Sequence, residues 1–557
     1  MYRTLGIVGS LLLASAATAA PKVSPDLAGR FSMKMVEVII QFKLPPSNQD
    51  LKILGPPGQI KKQLTSIRAV TITLPEFVIP SLAASPLISY VSINRPTRGK
   101  LDVSTNSVGA NLAWSSGWTG NGVGVAVIDS GVASKNDLKN STGVASRVVY
   151  SQSFVAGEGP EDLYGHGTHV AGIIAGNGAD SSAVTNIRTF KGVAPNVNII
   201  NLKVLNAGGS GMEADVIAAI QRAIELKNTY NIRVINLSLG RQVYESHTVD
   251  PLCQAVKAAW EAGIVVVVAA GNYGRDNSRG TRGYGTIASP GNSPYVITVG
   301  AMNAKGTFSR VDDTHASYSS KGPTSIDLVV KPDLVAPGNT VVSLMSPNSF
   351  LATQYPKTLI NNVSYEGVGS TGKSGEYFRL SGTSMATPLV SGAAALMLQK
   401  APSLTPDQVK ARMMKTAAKA LPLYSVGTDA NSLVTFSSQS DIFSVGAGYL
   451  DINAALNSTD LVTKPALSPN VTYNPVSKKA TIVRDLSVVW GDSVVWGDSV
   501  VWGSFVFNGN LNGNSVVWGD SVVWGDSTQS GFSVVWGESI PLSMSLKALS
   551  ADEGDVE

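Results

Sequence analysis

The sequence predicts an α/β protein with a mainly parallel sheet covered by helices on both faces, and three observations carry that expectation. From about residue 122, near-continuous apolar runs alternate with helical periods, the pattern of buried parallel strands separated by helices. The 557 residues are 43% hydrophobic and only 15% charged, which supports one large core with accessories rather than a disordered chain. A single cysteine, Cys253, excludes both an internal disulfide framework and a thiolate metal cluster, so the fold must rest on packing.

Residues 1–19 read as a secretory leader: Arg3 is the positive end, residues 5–14 form a short apolar core, and Ala17-Thr18-Ala19 supplies the small residues of a cleavage site. That run is shorter than the roughly 20 residues of a spanning helix, and no later stretch is long and apolar enough to cross a membrane. Export follows as the expectation. Residues 20–100 form a second region, in which 34–98 read as a small α+β unit with strands over 36–42, 69–74 and 87–94, punctuated by Pro45-Pro46 and Pro56-Pro57. This region carries a net charge of +7 and residues 461–557 a net of −5, within a total of +4. The basic residues are scattered among Pro, Leu and Ile rather than clustered with aromatics, which argues against nucleic-acid binding.

Within 101–460, strands are predicted over 123–128, 198–205, 234–239, 264–270 and 295–299, and helices over 214–226, 251–262, 383–399 and 406–417. In such folds chemistry gathers at the carboxyl ends of strands and at the helix starts that face them. Asp129 closes the first of these strands, just before Ser130-Gly131. His166 stands at a helix start in Gly165-His166-Gly167-Thr168-His169, and these are two of only four histidines in the chain. Their spacing of three, without an intervening Glu, does not match a zinc-protease site. Ser384, in Ser381-Gly382-Thr383-Ser384-Met385-Ala386-Thr387-Pro388, lies between a glycine turn and a small-residue helix, as an N-cap or as a nucleophile whose developing oxyanion free backbone N–H groups and the positive dipole end would stabilise. Pro388 falls in the first turns of that helix, where a missing N–H costs least. Asn272 ends a buried strand with a side-chain amide, a turn former or an oxyanion donor.

Taken in the order Asp129, His166, Asn272, Ser384, these segments resemble the subtilisin-like serine peptidases, the subtilases, over about residues 105–458. The strings Val-Ile-Asp-Ser-Gly-Val, His-Gly-Thr-His-Val-Ala-Gly, Ala-Ala-Gly-Asn and Gly-Thr-Ser-Met-Ala-Thr-Pro are jointly specific. The resemblance implies a three-layer subtilisin-like fold and a secreted serine endopeptidase in which Ser384 is the nucleophile, His166 the general base and Asp129 the carboxylate that orients it. It further implies that Asn272 stabilises the oxyanion. Ser238, Leu239 and Gly240 would face Ala269, Ala270 and Gly271 across a substrate cleft, with a broad preference for apolar residues before the cut. Arg241 departs from the family's usual glycine and puts the detailed specificity in question. The chemistry needs no cofactor, while Asp137 matches a calcium-ligating position whose usual partner loop is replaced by residues 177–191. Residues 20–100 resemble the family's inhibitory propeptides, which makes this segment an intramolecular partner removed by self-cleavage. An ester hydrolase of the α/β-hydrolase type runs Ser, Asp/Glu, His along the chain, so the order here rejects it.

The last region, 461–557, is marked by six copies of Ser-Val-Val-Trp-Gly starting at Ser487, Ser493, Ser499, Ser515, Ser521 and Ser533. An even period keeps every Trp on one face of a strand; alternatively Gly-Asp turns fold the copies into a meander, or they coil as a hexapeptide β-helix. The tail is then either a docking surface for envelope, polysaccharide or another subunit, or a structural module.

Overall fold

The computed structural model describes residues 22–24, 27, 29, 32–54, 60–94, 103–278, 280–474, 479–483, 500–502, 505–507, 546–548 and 554–555. The leader expected over 1–19 and most of the Trp repeats lie outside them. The chain divides into two units, 1–98 and 99–557.

In the first unit four antiparallel strands run in the order Ile60–Leu64, Ala69–Pro75, Met35–Phe42, Ile88–Ile93. Alternation explains the packing: Val38, Ile40 and Phe42 point inward from one strand and meet Val70, Ile72, Ile88 and Val91. The strand Ile60–Leu64 is absent from the sequence prediction because its Ile-Lys-Lys-Gln-Leu run has no buried residue; its two lysines suit a solvent-facing edge.

The second unit is a three-layer α/β fold around an eight-stranded sheet. Its order is Thr314–His315, Ile297–Asn303, Val265–Ala269, Ile232–Leu237, Gly124–Asp129, Asn198–Lys203, Val148–Ser153, with Leu334–Pro337 also paired to Ile297–Asn303. Every pairing is parallel except that of Thr314–His315. All six residues of Gly124–Asp129 are buried, as expected of a strand covered on both faces. Val148–Ser153 escaped prediction because it is a half-exposed edge carrying polar residues.

Two helix pairs cover this sheet: His166–Ala175 with Thr383–Lys400, and Glu213–Glu225 with Pro251–Glu261. The second pair is amphipathic, with Val216, Ala219, Ile220 and Ala223 inward at i, i+3, i+4, i+7. The helix Thr383–Lys400 is buried all round from Thr383 to Leu398, which its run of Gly, Ala and Ser permits. Among the described residues no helix is long and apolar enough to cross a membrane.

The run predicted over 234–239 is broken at Ser238 into Ile232–Leu237 and Leu239–Gly240. The break has a local cause. Ser238 turns its polar groups to the start of the Thr383–Lys400 helix, donating its hydroxyl to the Ser384 carbonyl at 3.0 Å and accepting the Ser384 hydroxyl at its own carbonyl at 2.9 Å. Pro388 sits deeper in that helix than its first turn and leaves the Ser384 carbonyl without its usual N–H four residues on. The Ser238 hydroxyl fills that vacancy.

Candidate active site

Three neighbouring strands end at the same edge of the sheet: Gly124–Asp129 delivers Asp129, Ile232–Leu237 delivers Ser238, and Val265–Ala269 delivers Ala270, Gly271 and Asn272. Two helix starts supply the rest. His166 is the first residue of His166–Ala175, and Ser384 the second of Thr383–Lys400.

Asp129 and His166 are fully buried, and the imidazole Nδ1 donates to Asp129 Oδ1 at 2.7 Å. The same oxygen accepts the Ser130 N–H at 2.7 Å, which fixes the carboxylate against its own turn. Close approach is required here: a Cβ on Gly167 would lie 2.2 Å from the Gly131 carbonyl oxygen and 3.2 Å from Asp129 Cβ. Only glycine lets the His166 helix start reach the Asp129 turn.

Asp162 is a site residue that sequence reasoning missed. Fully buried, it accepts the Gly165 and Thr168 N–H groups at 2.7 and 2.8 Å and the Ser130 hydroxyl at 2.8 Å, while Ser130 Oγ accepts the Gly167 N–H at 2.9 Å. It thus caps a helix whose N-cap residue, Gly165, has no side chain. Burial raises its carboxyl above the usual range against the pull of these donors. The signal that could have found it is an Asp set three residues before the glycine that opens the helix.

The second histidine is structural. His169 Nε2 donates to the Val341 carbonyl at 3.1 Å, and the ring stands edge-on to Phe378 at 5.1 Å. Burial, and after it the neighbouring His166, push its imidazole down to about 3, so it is neutral across the working range of pH.

Asn272 is oriented by what it touches. Its Oδ1 accepts both the Thr383 N–H and the Thr383 hydroxyl at 3.0 Å, one residue before Ser384. A backbone N–H can only donate, so Oδ1 must face it and Nδ2 is turned away; that Nδ2 is buried without a hydrogen-bond partner. His166 Nε2 and Asp129 Oδ2 are likewise buried and unpartnered. The Ser384 hydroxyl is held by the Ser238 carbonyl, so the site contains two bonded pairs, Asp129 with His166 and Ser384 with Ser238.

Of the expected cleft residues, Ala269 ends one strand and Ala270 and Gly271 follow it, and the Gly271 N–H donates to Thr383 Oγ1 at 3.2 Å. Ser238, Leu239 and Gly240 follow the end of the adjacent strand. Arg241 is only 7% exposed and forms a two-pronged bond with Glu213, Nε to Oε2 and Nη2 to Oε1 both at 3.0 Å, with Asp250 at 3.1 Å beside it. Burial opposes its charge, but the two carboxylates outweigh burial and its pKa is raised. Arg241 therefore ties the end of Leu239–Gly240 to the helix that follows Ser210–Gly211.

The Asp137 position does not suit a cation. Its Oδ2 accepts the Tyr377 hydroxyl and its Oδ1 the Asp180 N–H, both at 2.8 Å, and its main-chain carbonyl takes Arg147 Nη2 at 2.7 Å. Burial pushes the carboxyl up to about 6. Among the described residues no group of three or more His, Cys, Asp or Glu side chains is placed to hold a metal.

Comparison with known proteins agrees with this architecture. Residues 120–448 match the model of the subtilase family. The chain is 38% identical to serine protease AprX of Bacillus subtilis over 392 residues, covering 68% of this chain and 81% of that protein. It is 34% identical to subtilisin E of the same species over 363 residues, 65% of this chain and 78% of the relative. It is also 32% identical to an alkaline protease of Shouchella clausii over 379 residues, 67% and 80% of the respective chains.

Proposed function

The chain belongs to the subtilase family and is a serine endopeptidase; from that premise we propose that Ser384 is its nucleophile, His166 its general base and then acid, and Asp129 the group that orients the imidazole. The observation that carries this assignment is the buried 2.7 Å bond between His166 Nδ1 and Asp129, with Nε2 left unpartnered. A carboxylate only accepts, so the ring proton sits on Nδ1 and the Nε2 lone pair is open to take the serine proton.

A polypeptide substrate lies extended along Leu239–Gly240 as an added strand. Its backbone claims the Ser238 carbonyl, and the Ser384 hydroxyl turns from that carbonyl to His166. Ser384 Oγ attacks the scissile carbonyl carbon while Nε2 takes its proton, and the carbonyl oxygen becomes an oxyanion held by Asn272 Nδ2 and by the Ser384 backbone N–H, which intrahelical bonding does not use. Collapse returns the proton from Nε2 to the leaving amine and leaves an acyl-serine, which water cleaves by the same steps in reverse roles. The small, uncharged Ala269-Ala270-Gly271 wall favours apolar side chains before the cut.

Around this core, residues 20–100 act as an inhibitory propeptide, 1–19 direct secretion, and the Trp repeats serve as a docking surface for envelope, polysaccharide or another subunit, or as a structural module. The test is self-processing. Wild-type protein should appear with its N-terminus between about residues 95 and 105 and cleave peptides after apolar residues, whereas Ser384→Ala should keep the segment and cleave nothing. A wild type that stays full length and inert under folding conditions would refute the assignment.

A further inference from the structure

The C-terminal end of the chain returns to the edge that the reading above gives to substrate. Leu546–Ala548 lies between Leu239–Gly240 and Ser210–Gly211 as the middle strand of a three-stranded sheet. Both pairings are antiparallel: Leu239 faces Ala548, Gly240 faces Lys547, Ser210 faces Lys547 and Gly211 faces Leu546. Each flanking strand is only two residues long and gains its ladder from this segment, which is the geometry of an extended peptide added to open edges.

A second hold lies further along. Asp555 is 2% exposed, and its carboxylate accepts the Ser317 N–H at 2.7 Å, Arg275 Nη2 at 3.1 Å and the Ser317 hydroxyl. Its main chain exchanges two bonds with the Asn339 side chain, N–H to Oδ1 at 2.8 Å and Nδ2 to the carbonyl at 2.9 Å. Gly554 lies close against this clamp: a Cβ there would lie 2.0 Å from Asn339 Oδ1 and 2.4 Å from Ser381 Oγ, so a side chain would displace the Asn339 amide from Asp555. An aspartate this buried needs such a set of charged and polar partners. Asn339 adjoins Gly338, whose carbonyl accepts the Gly382 N–H at 2.8 Å in the turn that presents Ser384. The end of the chain is therefore held on the cleft edge at one point and beside the nucleophile's turn at the other.

We propose that the C-terminal segment is an intramolecular ligand of the substrate cleft, with residues 546–548 taking the backbone positions of a bound peptide and Asp555 clamping the chain beside the Ser384 turn. The full-length enzyme then competes with polypeptide substrates through its own end. Tethering sets the local concentration of that strand in the range of about millimolar, against which an outside substrate must work. The inference rests on Leu239–Gly240 being the substrate edge, and it adds a C-terminal inhibitor to the N-terminal one.

The test compares full-length wild type with Lys547→Pro, which removes a ladder N–H from the inserted strand and touches no catalytic group. Kinetics are read on a tetrapeptide anilide with an apolar residue before the cut, and intact mass confirms the tail. Lys547→Pro should lower KM by about ten-fold or more with kcat unchanged. A synthetic peptide of residues 543–557 added to that variant should restore the higher KM as a competitive inhibitor. Equal KM in two active enzymes, both with intact tails, would overturn the proposal. If the purified wild type has lost its end, inhibition by the peptide supports it and indifference to the peptide overturns it. Should neither protein hydrolyse the anilide or react with a fluorophosphonate, the peptidase assignment fails, and this inference with it.

Discussion

The Asp333 carboxylate and the two buried amino groups beside it are all matched, whereas around Asp129 and Asn272 three buried polar atoms are left open. Lys331 Nζ donates to Asp333 Oδ2 at 2.7 Å and to the Val296 carbonyl at 3.1 Å. Lys410 Nζ donates to the Pro294 and Val296 carbonyls and to Ser468 Oγ at 2.8 to 2.9 Å, and lies 3.2 Å from Asp333 Oδ1. Ser468 and the Thr298 N–H complete the carboxylate at 2.5 and 2.7 Å. Burial works to raise the Asp333 carboxyl, but the two ammonium groups outweigh it and hold it below its ordinary range. At the strand ends and the helix start facing them, by contrast, Asp129 Oδ2, Asn272 Nδ2 and His166 Nε2 have no partner. An unmatched buried polar group costs about 1–3 kcal/mol. Of these two regions, the one that only holds the fold together has its carboxylate and amino groups matched, and the one proposed for catalysis keeps open the imidazole nitrogen and the amide that the proposed chemistry needs.

The largest expected effect breaks the open site. Ser384→Ala should lower kcat/KM by about 10⁴-fold or more while leaving the melting temperature near wild type, measured by peptide hydrolysis beside calorimetry. The reverse signature belongs to the closed cluster. Asp333→Ala leaves Lys331 and Lys410 buried without their carboxylate and should cost about 3–5 kcal/mol in denaturant unfolding, with activity per folded molecule retained. Loss of activity at unchanged stability for Asp333→Ala would erase the distinction between the two regions.

The two regions also differ in how far the sequence discloses them. Asp129, His166, Asn272 and Ser384 are each read within a short local string, because a strand end or helix start must present each one in a fixed turn. The Asp333 cluster has no such string. Lys331 and Asp333 are neighbours, but Lys410 and Ser468 reach them only through tertiary packing, and nothing local distinguishes those lysines from surface ones. Buried parallel strands and amphipathic helices were legible for the same reason as the site, since their period is local. The edge strands Ile60–Leu64 and Val148–Ser153 were not, because exposure dilutes the apolar signal. Asp162 was missed because it acts on the backbone of a helix it does not belong to.

Two smaller effects sharpen the comparison. Asn272→Ala should reduce kcat by about 10² to 10³ with little change in KM if, as proposed, its free Nδ2 meets the oxyanion and not the ground state. A comparable loss confined to KM would move Asn272 from the oxyanion to the binding of substrate. In the closed cluster, burial pushes Lys331 down to about 7 from 10.5. Between these values the unfolded chain holds a proton that the folded one releases, so this group makes stability rise with pH across the window. Lys331→Met should remove that rise, about one proton in the difference of slopes, when denaturant midpoints are compared at about pH 7.5 and 9.5. Parallel slopes would mean that Lys331 stays charged in the fold.

The most direct test of the central claim is covalent labelling by a fluorophosphonate, read by peptide mapping of wild type, Ser384→Ala and His166→Ala. The account predicts one adduct, on Ser384 of the wild type, with none on the first variant and a labelling rate at least about 10³-fold lower on the second. Labelling of another serine, or equal labelling of the His166 variant, would contradict it.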